Sequence, residues 1–231
     1  MIGSRSWRAI LAVFSALLVV AVLVPSVFAD PSVFPASSSP YGRSYGEWSA
    51  RWWQWAVSFE PPVNPLLDGT GAYCASGQSG PVWFLAGNFG GSTTRTCTIP
   101  ANTALLYPII NSLCWRPGDS DTEAGLRTCA AQLVNAATNL QTEVDGASVQ
   151  GVQRFRTQSP LFQFTVPGPK NHNILGISPP LTRDGVADGY WIMLAPLSAG
   201  NHVVHFHGEI PDGLGPGVPF VVDVTYRLTV G

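Results

Sequence analysis

His205-Phe206-His207-Gly208-Glu209 is the run of this chain whose residue types and spacing best suit metal chemistry. Alternate residues of a β-strand share a face and stand roughly 6.6 Å apart along it. A strand here therefore turns His205, His207 and Glu209 to one side and Val204 and Phe206 to a core. Imidazole nitrogen and carboxylate oxygen are the ligands of a divalent ion that activates water. Asp223, on the outward side of the following strand, either adds a ligand or fixes an imidazole tautomer. The competing reading of the same residues is the wet side of a strand.

The His-x-His is similar to part of the cupin metal-binding motif, but the acid follows too soon and no third histidine comes after it. Other patterns are weaker. Leu67-Asp68-Gly69-Thr70-Gly71 has a glycine between the Asp and Thr of an aspartic-protease motif and no second copy, so it reads as a turn. Gly118-Asp119-Ser120 lacks the Asp-x-x-His partner of an esterase motif. Asp119, Asp121 and Glu123 alternate like a calcium loop without its glycine or final glutamate, and acids before a helix are explained by its dipole.

Tryptophan is the other conspicuous residue type. Tyr45-Gly46-Glu47-Trp48-Ser49-Ala50-Arg51-Trp52-Trp53-Gln54-Trp55 places Tyr45, Trp48, Trp52, Trp55 and Phe59 at helical spacing on one stripe. Such a stripe is packing material, because large aromatic rings bury much area per residue. Trp53 falls off the stripe and, with Trp115 and Trp191, is the candidate for stacking on a ligand such as a polysaccharide.

Residues 1–29 carry the marks of a signal peptide: Arg5 and Arg8, an apolar run from Ile10 to Val24, Pro25, and Val27-Phe28-Ala29 before the cut. The run is short for a membrane span. The mature chain, 30–231, keeps all 14 acids and 10 of the 12 basic residues, a net charge near −4, with Lys170 its single lysine. No basic patch for nucleic acid or an anionic membrane follows from that balance. Cys74, Cys97, Cys114 and Cys129 lie close together in an exported chain, and two local disulfides, Cys74–Cys97 and Cys114–Cys129, are expected rather than a zinc site.

Around these residues the sequence predicts one mainly β domain, an antiparallel sandwich of jelly-roll type with an N-terminal Trp-rich helix and a second helix inserted at about 121–141. Ser44 with Glu47, and Ser120 with Glu123, are capping-box pairs for the two helices. Strands are expected at 81–85, at 93–99 and 104–110 as a hairpin, at 149–156, 161–166, 189–194, 202–208 and 219–230. Asp145-Gly146 signals a tight hairpin turn, and 167–188, rich in Pro, Gly and Asn, reads as a long surface loop.

The 45–55 segment, Gly80-Pro81-Val82-Trp83-Phe84-Leu85-Ala86-Gly87, Pro108-Ile109-Ile110-Asn111-Ser112 and Asp223-Val224-Thr225-Tyr226 resemble a group of uncharacterised bacterial secreted proteins. That resemblance implies export and a single domain and carries no activity. The expectation is a secreted or periplasmic, noncatalytic binding or structural module for an extracellular glycan or small molecule, without nucleic acid, without a membrane after signal cleavage and without a cofactor. The alternative is a metal-dependent hydrolase or cupin-like enzyme that holds a divalent ion at His205, His207, Glu209 and Asp223.

Overall fold

The computed structural model describes residues 31–231; the signal peptide expected at 1–29 lies outside them. In chain order the main elements are α1 (Tyr45–Ala56), β1 (Val82–Phe84), β2 (Gly91–Ile99), β3 (Ala104–Arg116), α2 (Glu123–Asn135), β4 (Thr138–Val144), β5 (Ala147–Ser148), β6 (Arg156–Gln158), β7 (Phe162–Thr165), β8 (Thr182–Leu194), β9 (Gly200–Ile210) and β10 (Phe220–Val230). One sheet runs β1-β3-β8-β6, with β7 also on β8. The other runs β2-β10-β9-β4-β5.

The sheets pack face to face. Tyr107 of the first stacks on Phe206 of the second with ring centroids 4.8 Å apart, and Phe206 in turn faces Tyr226. The Tyr107 hydroxyl lies 2.8 Å from Thr142 Oγ1, so its polar end is satisfied inside the core. Burial pushes the phenols of Tyr107 and Tyr226 well above the usual tyrosine pKa. On the far face of the first sheet lies α1, where Trp52 meets Trp191 of β8 edge to face at 5.5 Å.

The tryptophan stripe is core, as its spacing predicts. Tyr45, Trp48, Trp52 and Trp55 are all buried, and three of these indoles donate to main-chain carbonyls: Trp48 to Pro40, Trp52 to Leu85 and Trp55 to Ser76. The Ser44–Glu47 capping box is formed in both directions. Both expected disulfides are present. Asp145 and Gly146 take positive φ in the β4–β5 turn.

Several expectations change. The sheets are mixed, not purely antiparallel, because β1 runs parallel to β3 and β2 parallel to β10. Segments 93–99 and 104–110 therefore form no hairpin; they enter different sheets. Their burial explains why: β3 is apolar and covered on both faces, whereas β2 alternates and needs one face in water.

The second helix is shorter than 121–141. Thr122, not Ser120, caps it by accepting from the Gly125 amide, and Leu140 belongs to β4, where pairing with β9 wins over helical spacing. Segment 149–156 is mostly a 3₁₀ turn at Val152–Phe155 that leads into β6. The long loop stops at β8, which begins at Thr182. Its glycines serve packing: a Cβ at Gly185 would sit 3.0 Å from both Leu113 Cδ1 and Phe164 Cε1.

Candidate functional site

The polar row on the outer face of the second sheet arises from strand alternation. Val204, Phe206, Val222 and Val224 point into the core, so His205, His207, Glu209 and Asp223 emerge together on the wet side, each half-exposed. Register places Asp223 directly beside His207 and Glu143 beside His205. His205 Nε2 lies 2.7 Å from Asp223 Oδ1, while Ser92 donates to the other Asp223 oxygen at 2.9 Å. His207 Nε2 lies 3.0 Å from Glu209 Oε1, and Asn139 donates to Glu209 Oε2 at 2.9 Å.

The four proposed ligands thus form two imidazole–carboxylate pairs instead of one cluster. Partial burial works against the Asp223 carboxylate, but hydrogen bonds from His205 and Ser92 outweigh it and hold its pKa below the usual range. The Asn139 amide, then His207, lower that of Glu209. Among the described residues, the one group of three ligand atoms within 4.8 Å of one another is Cys114, Asp119 and Cys129, whose sulfurs are spent in a disulfide. Asp119 accepts the Trp115 amide and Glu123 pairs with Arg127, so these two of the 119–123 acids have partners of their own.

The tryptophans are placed differently from expectation. Trp53 and Trp191 are 7% and 0% exposed, which removes both as stacking platforms, and Trp115 is half-buried. Trp53 is buried although it leaves the stripe, because α1 is enclosed on more than one side: Gln54, also off the stripe, donates to the Gln163 carbonyl of β7.

One constellation escaped the sequence reading. His202 Nδ1 lies 2.7 Å from Asp145 Oδ2, and its Nε2 lies 3.3 Å from Ser198 Oγ. This is the connectivity of a Ser-His-Asp triad. Nε2 has a nearer partner, however, the Ser198 carbonyl at 2.9 Å. A carbonyl and a carboxylate both accept, so these contacts favour a ring protonated on both nitrogens. Burial disfavours that charge, but the bonds to Asp145 and the Ser198 carbonyl prevail and raise the His202 pKa. With Nε2 turned to the Ser198 carbonyl rather than to its hydroxyl, the ring is poorly placed to take a proton from Ser198, and the trio acts as a clasp between the β4–β5 turn and the start of β9. Residues 145, 198 and 202 have no motif spacing, and only tertiary pairing unites them.

Comparison with family models, with curated proteins and with solved structures returns no match for the chain. The two disulfides are consistent with a secreted or periplasmic protein, and no helix among the described residues is long and apolar enough to cross a membrane.

Proposed function

We propose that the protein is a secreted, noncatalytic binding module that presents the outer face of its second sheet to a polar extracellular ligand, a glycan segment or a small hydroxylated molecule. What supports this reading is the row Ser92, Asp223, His205, His207, Glu209 and Asn139: donors and acceptors fixed in orientation by one another on a strand surface anchored from behind by the core. Side chains already held in place lose little rotamer freedom on binding.

Probing a glycan array with the purified protein tests it. Specific signals that fall at least tenfold in a His205→Ala, His207→Ala double variant with an unchanged melting temperature are expected; an array without specific signals sinks the reading. A second reading, an ion-dependent enzyme, draws on the 2.7 Å separation of His205 Nε2 and Asp223 Oδ1, close enough for both atoms to reach one divalent ion. A stoichiometric metal in the purified protein that is lost in the same double variant would favour it.

A further inference from the structure

A cavity of about 70 Å³ lies at the end of the sandwich where β2 and β10 begin, walled by α1, β3 and the segment joining β1 to β2. Trp52, Trp53, Pro108, Ile109, Asn111 and Phe220 line it, and Phe89, half-exposed, stands at its rim. No charged side chain lines it. It is separate from the polar row on the outer face of the second sheet.

Among the described residues, the sealed side-chain polar atoms without a hydrogen-bond partner are all nitrogens that carry hydrogen, and three of them gather here: Trp53 Nε1, Asn111 Nδ2 and Trp191 Nε1. Trp53 and Asn111 line the cavity. Trp191 adjoins it, since a Cβ on Gly189, the strand partner of Asn111, would sit 2.9 Å from Trp191 Nε1 and 2.7 Å from the Asn111 Cβ. Trp53 is the exception on its own helix, where Trp48, Trp52 and Trp55 all donate to carbonyls. A sealed, unpaired donor loses its bond to water and gains none in return, and folded proteins rarely keep one. Two such donors on the cavity wall and a third next to the strand partner of Asn111, with no unpaired sealed side-chain acceptor among the described residues, suit an acceptor from outside the chain.

We propose that this cavity binds a small neutral molecule, apolar over most of its surface, that brings a carbonyl oxygen to Trp53 Nε1 and Asn111 Nδ2. Neutrality follows from walls without charge, and the apolar body from Trp52, Pro108, Ile109 and Phe220. One water needs about 10–15 Å³ of such space, so the cavity admits roughly five or six heavy atoms. Both N–H groups are closed to a water-sized sphere, so binding requires lining side chains, the half-exposed Asn111 among them, to turn as the ligand enters.

Titrating the purified protein with cyclopentanone and, in parallel, with cyclopentane tests this, reading the side-chain N–H signals of Trp53 and Asn111 by nitrogen–proton NMR. The ketone is expected to move both signals and to bind at least tenfold more tightly than the hydrocarbon. Asn111→Leu, which removes an unpaired donor at similar volume, is expected to weaken the ketone about tenfold without lowering the melting temperature. Should that variant not fold, Trp53→Phe carries the same comparison. Equal binding of the two probes, no shift with either, or an Asn111→Leu variant that melts earlier while binding the ketone unchanged would each overturn the proposal, the last by showing the amide already paired.

Discussion

His202 shows how much a single residue can depend on distant partners. Its cationic form is held between Asp145 and the Ser198 carbonyl, and its side chain is only 12% exposed. Because its folded pKa is raised above the ordinary value near 6.5, its contribution to stability is fully present below that value and fades as pH climbs through the raised one. Melting temperatures measured from about pH 5 to pH 9 should therefore fall on the alkaline side. In His202→Gln that alkaline decline should flatten; an identical profile in the variant would show that the clasp carries no linkage. Asp223 has the opposite sign: its lowered pKa means stability present above the ordinary carboxylate range and lost on acidification through the folded value. Arg95, 2% exposed, likewise takes its role from context. It donates to the carbonyls of Asp68, Ala86 and Gly87 and to the Tyr226 hydroxyl, and so fastens the 64–73 segment to the edge of the second sheet.

Among the elements, α1 was the most legible in the sequence. Its cap, its stripe and the burial of Trp48, Trp52 and Trp55 follow from local spacing, because a helix brings residues three and four apart onto one face whatever surrounds it. Ser44→Ala removes the acceptor of the Glu47 amide and half of the capping box; a loss of about 1 kcal/mol is expected, read as a lower urea midpoint at unchanged slope. An unchanged midpoint would mean that packing on β8 alone fixes the helix start. β10 was equally plain, since strict alternation along one strand leaves one way to place its faces. α2 and β8 were harder to read. Thr138 to Val144 suits either state locally, and β9 supplied the deciding partner. The Asp and Gly residues of β8 look like loop material until Leu113, Phe164 and Asn111 are seen to need the room.

At the scale of the whole molecule, the first sheet is the middle layer, with α1 on one side and the second sheet and α2 on the other; the most deeply enclosed backbone is in β3 and β8. Native-state hydrogen exchange should find the slowest amides there and in the middle of β9 and β10, and the fastest in the 167–181 and 211–219 loops. Exchange in β3 as fast as in the edge strand β5 would contradict this layering. The disulfides bind the periphery to that centre: Cys114 of β3 to Cys129 of α2, and Cys97 of β2 to Cys74 of the preceding segment.

The sequence by itself determined the mainly β class with its two helices and which side of β9 and β10 is wet, and it favoured the two local disulfides. Each of these is written in composition or in spacing over a few residues. Tertiary structure alone decided that β2 and β3 part into different sheets, that Trp53 and Trp191 lie inside, that the imidazoles pair with separate carboxylates, and that Asp145, Ser198 and His202 meet. The physical reason is the same in every case: periodicity says which way a side chain points along its own strand or helix, while its partner is set by which other segment packs there, and that choice is made by the burial of the whole chain at once.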